Sequence, residues 1–117
     1  MSYVDGFVLV VPKKNLDAYK RISRKAGKVW REYGALEYRE CVGDDLNTKF
    51  GLPFRKLTKA KPNEAVVFSY IVYKSRAHRD KVITKVMADP RLQGDMNNMP
   101  FDTKRMAFGG FKTFVDV

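Results

Sequence analysis

The 117-residue sequence holds one cysteine and one histidine. A lone cysteine excludes an intrachain disulfide, and one histidine with one cysteine cannot complete a tetrahedral zinc site within the chain. Acidic residues are scarce, 13 against 23 lysines and arginines, which leaves a net charge of +10. No apolar run approaches the roughly 20 residues that a membrane-spanning helix needs. The N-terminal apolar run follows no basic segment and contains Asp5, so it does not read as a secretory leader. Repeats and low-complexity tracts are absent too, and no composition shift marks a domain boundary. These absences set the expectation of a single cytoplasmic domain over residues 1–117, with no membrane partner and no bound metal.

Hydrophobic residues make up 44% of the chain, enough for a packed core. Tyr3 to Val11 is a β-branched and aromatic run stopped by Pro12 and predicts a first strand. From Asn15 the period changes: Leu16, Tyr19, Ile22, Ala26, Val29 and Tyr33 recur every three or four positions, the pattern of one helix face. Asn15 suits the N-cap, Asp17 the positive end of the helix, and Gly34 the position after its last turn. Ala35 to Val42 predicts a second strand, and residues 44–63 a long irregular connection. Glu64 to Tyr73 is the clearest strand in the chain. Ser75 caps a second helix from Arg76 to about Ala88, with Ala77, Val82, Ile83, Val86 and Met87 facing inward. Asp89-Pro90 ends that helix and starts a short turn. Lys104 to Val115 predicts a fourth strand, whose Gly109-Gly110 pair marks a bulge or a close approach to the backbone. The order is β-α-β-β-α-β, the ferredoxin-like α+β arrangement of a four-stranded antiparallel sheet with two helices on one face.

A sheet with one wet face should alternate apolar with polar residues. These strands do not. The third offers Val66, Phe68, Tyr70 and Val72 on one side, and Val67, Ile71 and Tyr73 with Ser69 on the other; the first strand is apolar on both sides as well. Two helices cover only one face, and an uncovered apolar face exceeds what a monomer tolerates. The expectation is a homodimer, sheet against sheet, forming a dimeric α/β barrel.

Asp5, Glu40 and Arg105 are ionisable residues inside predicted strands, where burial demands a partner or a ligand. Tyr38, Ser69, Tyr70 and Phe111 are the polar and aromatic neighbours that a small-molecule pocket would use. His78 lies among Arg76, Arg79 and Lys81 and reads as solvated helix surface. Cys41, beside the charge of Glu40, is poorly placed as a nucleophile and reads as a small buried apolar residue. Asp44-Asp45 reads as a solvated turn. On the first helix Lys20, Arg24 and Lys28 repeat like charges at i,i+4, each step costing a few tenths of a kcal/mol. They form the candidate polyanion surface, for which weak, sequence-independent and salt-sensitive binding of nucleic acid is expected. The third strand lacks the Gly-aromatic pattern of an RNA recognition motif, so that reading is excluded.

Several segments together resemble a known family: Tyr3-Val4-Asp5-Gly6-Phe7-Val8 with Val11-Pro12, Tyr33-Gly34-Ala35-Leu36, Glu40-Cys41, Asp44-Asp45, Val66-Val67-Phe68-Ser69, Arg79-Asp80, Met87-Ala88-Asp89-Pro90-Arg91, and the run from Met99 to Phe111. They are similar to the YbaA-like family of uncharacterised bacterial proteins in the dimeric α/β-barrel superfamily. The resemblance implies a ferredoxin-like fold, a homodimer and a cytoplasmic bacterial protein, and it supplies no catalytic residues. Superfamily neighbours include cofactor-independent oxygenases and haem-handling enzymes. The leading expectation is a homodimeric barrel that binds a small, partly apolar organic ligand without a cofactor. The alternatives are a polyanion-binding module and a purely structural or regulatory dimer.

Overall fold

The computed structural model describes residues 1–96 and 98–117. Strands β1 (Tyr3–Pro12), β2 (Glu37–Val42), β3 (Glu64–Tyr73) and β4 (Ala107–Lys112) form one antiparallel sheet in the order β2-β3-β1-β4. Helices α1 (Leu16–Glu32) and α3 (Arg76–Met87) follow β1 and β3, as the ferredoxin-like pattern requires. A five-residue helix α2 (Phe54–Thr58) and a short α4 (Gln93–Met96) complete the set. The shortest dimension, 20 Å, is the depth of one sheet and one layer of helices.

Local chemistry accounts for the element ends. Ser75 Oγ accepts from the His78 backbone N–H and opens α3, and Asp89 caps the following turn by accepting from the Arg91 N–H. Gly34 takes φ +113° after α1, a backbone state that favours glycine. Asn15 makes no side-chain cap; its amide instead donates to the Pro100 carbonyl. The connection read as irregular contains α2, which Pro53 precedes, Thr58 stabilises by donating to the Phe54 carbonyl, and left-handed Lys59 ends. β4 starts later than the sequence predicts. Asp102 accepts from the Lys104 N–H and turns Thr103–Arg105 into a 3-10 segment, which takes Arg105 out of the strand.

Register sorts the side chains. Asp5, Phe7 and Leu9 of β1 share the helix-covered face with Val67, Ser69, Ile71 and Tyr73 of β3, and with Tyr38 and Glu40 of β2. Two buried clusters lie under the helices, one built on Val29, Ile71, Tyr73, Val82, Val86 and Leu92, the other on Leu9, Val11, Tyr19 and Val67. Of the residues expected inward on α3, Val82 and Val86 are buried, while Ala77 and Met87 are exposed.

The opposite face carries Val4, Val8, Phe68, Tyr70, Val72 and Phe111. Val10 and Val66 at one end of it are buried where α2 packs across β1 and β3. The remainder is open, with Phe68 45% and Phe111 62% exposed. Cys41 faces this open side from edge strand β2 and is exposed, not the buried apolar residue that the sequence suggests. His78 is half-buried, not a solvated surface side chain: its Nδ1 accepts from the Lys74 N–H at 3.0 Å and its ring meets the Tyr73 ring edge-on.

Candidate functional site

Between the helices and the sheet lies a cavity of about 650 Å3. Its floor is Asp5, Phe7, Leu9, Ser69, Ile71, Tyr38 and Glu40, its roof is α1 through Tyr19, Ile22, Ser23, Ala26 and Trp30, and α3 contributes Arg79 and Ile83. Phe101 and Phe108 line one end, which opens to solvent, with Phe108 stacked on Phe7 at 4.7 Å and 52% exposed. An apolar, aromatic hollow with a few convergent polar groups is the usual make-up of a small-molecule site.

The polar groups fall into two sets. Asp5 is 1% exposed, and no donor reaches either of its oxygens with good hydrogen-bond geometry, although the Tyr73 hydroxyl lies close. Arg79 Nε lies 3.3 Å from Asp5 Oδ1 without hydrogen-bond alignment and is itself unpartnered. Arg79 is held from its other side: Nη2 donates to Tyr3 Oη at 3.1 Å, and the guanidinium sits 5.0 Å above the Tyr3 ring. Burial pushes the Asp5 carboxyl above its ordinary range, while the charge of Arg79 and the neighbouring Tyr73 hydroxyl oppose the rise. Tyr73 in turn accepts from Trp30 Nε1 at 3.0 Å. Two orphaned groups therefore stand side by side in the cavity wall, an acceptor and a donor.

Glu40 forms the second set. Tyr19 donates to its Oε1 at 2.6 Å and Tyr38 to its Oε2 at 2.7 Å. Burial, reinforced by the charge of Glu40, raises both tyrosine hydroxyls well above their ordinary range, so they stay protonated and donate. The Tyr38 ring occupies space that only a glycine leaves: a Cβ on Gly27 of α1 would stand 2.7 Å from Tyr38 Cδ1.

On the outer flank of α1 runs an open groove of about 880 Å3, lined by Lys20, Arg24, Lys28 and Arg31, with Tyr19, Ser23, Tyr38 and Glu40 at its base. The helix cations thus line a concave surface.

Of the residues singled out in the sequence, Asp5, Tyr38, Glu40 and Ser69 meet in the cavity. Tyr70 and Phe111 lie on the opposite sheet face. Arg105 is elsewhere, pairing with Glu64 at 2.7 Å and Asp102 at 2.8 Å and donating to the Lys59 carbonyl. Asp5, Glu40 and Arg105 therefore do not pair with one another. Arg79, Tyr19 and Trp30 line the cavity too but are not among the site residues read from the sequence. The signal for Arg79 was present: the inward stripe Val82, Ile83, Val86, extended back one turn, lands on it. Among the described residues no three His, Cys, Asp or Glu side chains converge to hold a metal ion, and no helix is long and apolar enough to cross a membrane.

Comparison with known proteins bears out the resemblance read from the sequence. The chain is 45% identical over 116 residues to the uncharacterised protein YbaA of Escherichia coli strain K12, covering 99% of each. Its fold is shared with SnoaB, a cofactor-independent oxygenase from Streptomyces nogalater, at a TM-score of 0.61 and 11% identity, over 99% of this chain and 96% of that one. It is shared too with a dimeric ferredoxin-like protein from an uncultured marine organism, at a TM-score of 0.56 and 12% identity, over the whole of both chains. At such identities the two structures speak for the fold alone. The family model described as protein of unknown function, DUF1428, matches residues 2–103, and with the YbaA likeness running end to end, the chain belongs to that family.

Proposed function

We propose that the protein is a homodimer that holds a small, partly apolar organic ligand between its helices and sheet, and that Asp5 exchanges a proton with it. The observation that carries this reading is Asp5 itself, a carboxylate in the cavity wall that no donor reaches with good hydrogen-bond geometry, the Tyr73 hydroxyl and Arg79 Nε lying close without aligning. Leaving such a group unsatisfied costs stability, and a ligand hydroxyl or N–H would remove the deficit. Arg79 Nε beside it suits the oxygen of the same group. The pair is complementary to an acidic hydroxyl or an enolisable carbonyl: the proton goes to Asp5, and the oxygen that gains charge faces Arg79. A carboxyl raised by burial is the stronger base for this task. That SnoaB, which shares the fold, is a cofactor-independent oxygenase favours chemistry carried by side chains and ligand alone. Pairing of two copies through the open apolar sheet face is supported by that face and by the dimeric marine neighbour.

The test uses 2-naphthol, an aromatic with one acidic hydroxyl, followed by its fluorescence. We expect saturable binding to the native protein and a loss of about 10- to 100-fold in Asp5→Asn, the range for a hydrogen bond to a charged group. Thermal melts report the fold independently. Because the Asp5 carboxyl is raised above 3.8, its contribution to stability is complete below that value and is lost as pH rises through the raised one. Asp5→Asn should erase that part of the pH dependence. Equal affinity of both proteins for 2-naphthol would end the reading.

A further inference from the structure

The basic groove and the cavity meet at one wall. Tyr19, Ser23, Tyr38 and Glu40 line both, so a single layer of side chains separates them, latched by the two tyrosine hydrogen bonds to Glu40. On the groove side, Lys20, Arg24 and Lys28 are exposed and follow one another at steps of about 6 Å along α1. The ion pairs among the described residues include none of these three, whereas Lys25 of the same helix reaches Asp95 at 2.7 Å. Of the acids in the groove, Glu32 is paired with Arg91 at 2.8 Å and Glu40 is taken up by its tyrosines. On the cavity side, Asp5 lies diagonally across the floor from Glu40. Two strand spacings and two residues along the strand separate them, about 12 Å between Cα atoms.

Building on the ligand reading above, we propose that the ligand is an aromatic organic acid, its ring and hydroxyl donor in the cavity against Asp5 and its anionic group in the groove against Lys20, Arg24 and Lys28. The two halves of such a molecule suit the two compartments. A second anion inside the cavity would lie near the Asp5 carboxylate and lose its water, which is costly. In the groove it keeps part of its hydration and faces three cations that have no ion-pair partner among the described residues. An apolar body in turn gains from the cavity's aromatic lining and nothing from the groove. The Tyr19–Glu40–Tyr38 wall is where the molecule passes. Opening it exchanges the two hydrogen bonds to Glu40 for others, and the ligand's ring takes over the apolar contacts that Tyr19 and Tyr38 give up. The charge at Glu40 keeps the anionic group on the α1 side of the groove.

The experiment compares 2-naphthol with 6-hydroxy-2-naphthoate, which adds a carboxylate at the far end of the same ring system, by fluorescence titration of the intact protein. At low ionic strength the hydroxy acid should bind about tenfold tighter, the gain from one anion facing several partly hydrated cations. In molar salt, where the Debye length is about 3 Å, that advantage should fade. In the triple variant Lys20→Gln, Arg24→Gln, Lys28→Gln the ratio of the two affinities should collapse toward one. The matched charge change Lys13→Gln, Lys49→Gln, Lys112→Gln, away from the groove, should preserve the ratio. Equal affinity of the native protein for both probes, or a ratio that survives the groove substitutions, overturns the proposal and leaves the cavity reading standing. Failure of both probes to bind overturns the two together.

Discussion

Replacing Gly110 by alanine should destabilise the protein far more than the same change at Gly109, although the two are neighbours in one edge strand. Register puts them on opposite faces: Gly110 pairs with Asp5 on the helix side, Gly109 with Gly6 on the open side. The ladder runs through both without a bulge, so of the two meanings read into the glycine pair, close approach is the one that holds, and only at Gly110. A methyl group there would overlap Tyr3 Oη and stand 2.5 Å from Arg79 Nη2 and 2.7 Å from Tyr3 Cε2. The Arg79 head can swing aside, but the Tyr3 ring is 8% exposed and fixed in β1. Moving Arg79 gives up its bond to Tyr3, its stacking on that ring and the only cation beside Asp5 among the described residues, and it still leaves the methyl against the Tyr3 ring, so β1 or β4 must shift as well. Overpacking costs about 1–3 kcal/mol, and a hydrogen bond involving a charged group about 1.5–3 kcal/mol. The two overlap, so we expect a net loss of about 3 kcal/mol, and at about 4 °C per kcal/mol for a chain of this size the melting temperature falls by about 12 °C. At Gly109 a methyl would meet only the Phe111 ring, at 3.8 and 3.9 Å. Gly109→Ala should be neutral or stabilising by about 0.5 kcal/mol, because glycine in a strand is entropically costly. Thermal and urea melts of the two variants, at one protein concentration, decide the matter. Equal melting temperatures, or a larger loss at Gly109, would refute the reasoning.

Acid stability should depend on Glu64. Hydrogen bonds from Arg105 first, then the Lys61 N–H, hold its carboxyl down at about 2 against an ordinary 4.5. The stability this pair contributes is complete above 4.5 and is lost as pH falls toward 2, so Glu64→Gln should flatten the melting-temperature profile in that window and change little of the slope above it. An unchanged acid slope in the variant would show that the pair contributes nothing. In sedimentation velocity the native protein should run at twice its chain mass, and Phe68→Glu with Phe111→Glu, placing charges on the open sheet face, should bring it to a single chain. A native protein that already sediments as one chain contradicts the sheet-to-sheet pairing.

Local signals determined most of the fold. The run from Val66 to Tyr73 marks β3 without help from the rest of the chain, and Ser75, Asp89 and Gly34 end or start their elements by bonds and dihedral angles that involve only near neighbours. The alternation of β1 and β3 also showed two apolar faces, because side chains in a strand change side at every residue whatever the strand pairs with. That same alternation separates Ser69 from Tyr70, but it cannot say which face the helices cover, and so which of the two meets a cavity. Only packing decided that, and it put Ser69 inside and Tyr70 out. Packing also brought Arg79 to Asp5 and both Tyr19 and Tyr38 to Glu40, contacts set by strand register and helix docking between distant parts of the chain. Arg105 shows the limit from the other direction. Its sequence context reads as strand, yet the Asp102 turn and the buried Glu64 carboxylate each bind it, and together they outweigh a strand propensity worth at most about 1 kcal/mol. Where one residue has partners both near and far in the chain, its place follows from the assembled structure, because a charge near the core must be satisfied before its backbone preference is.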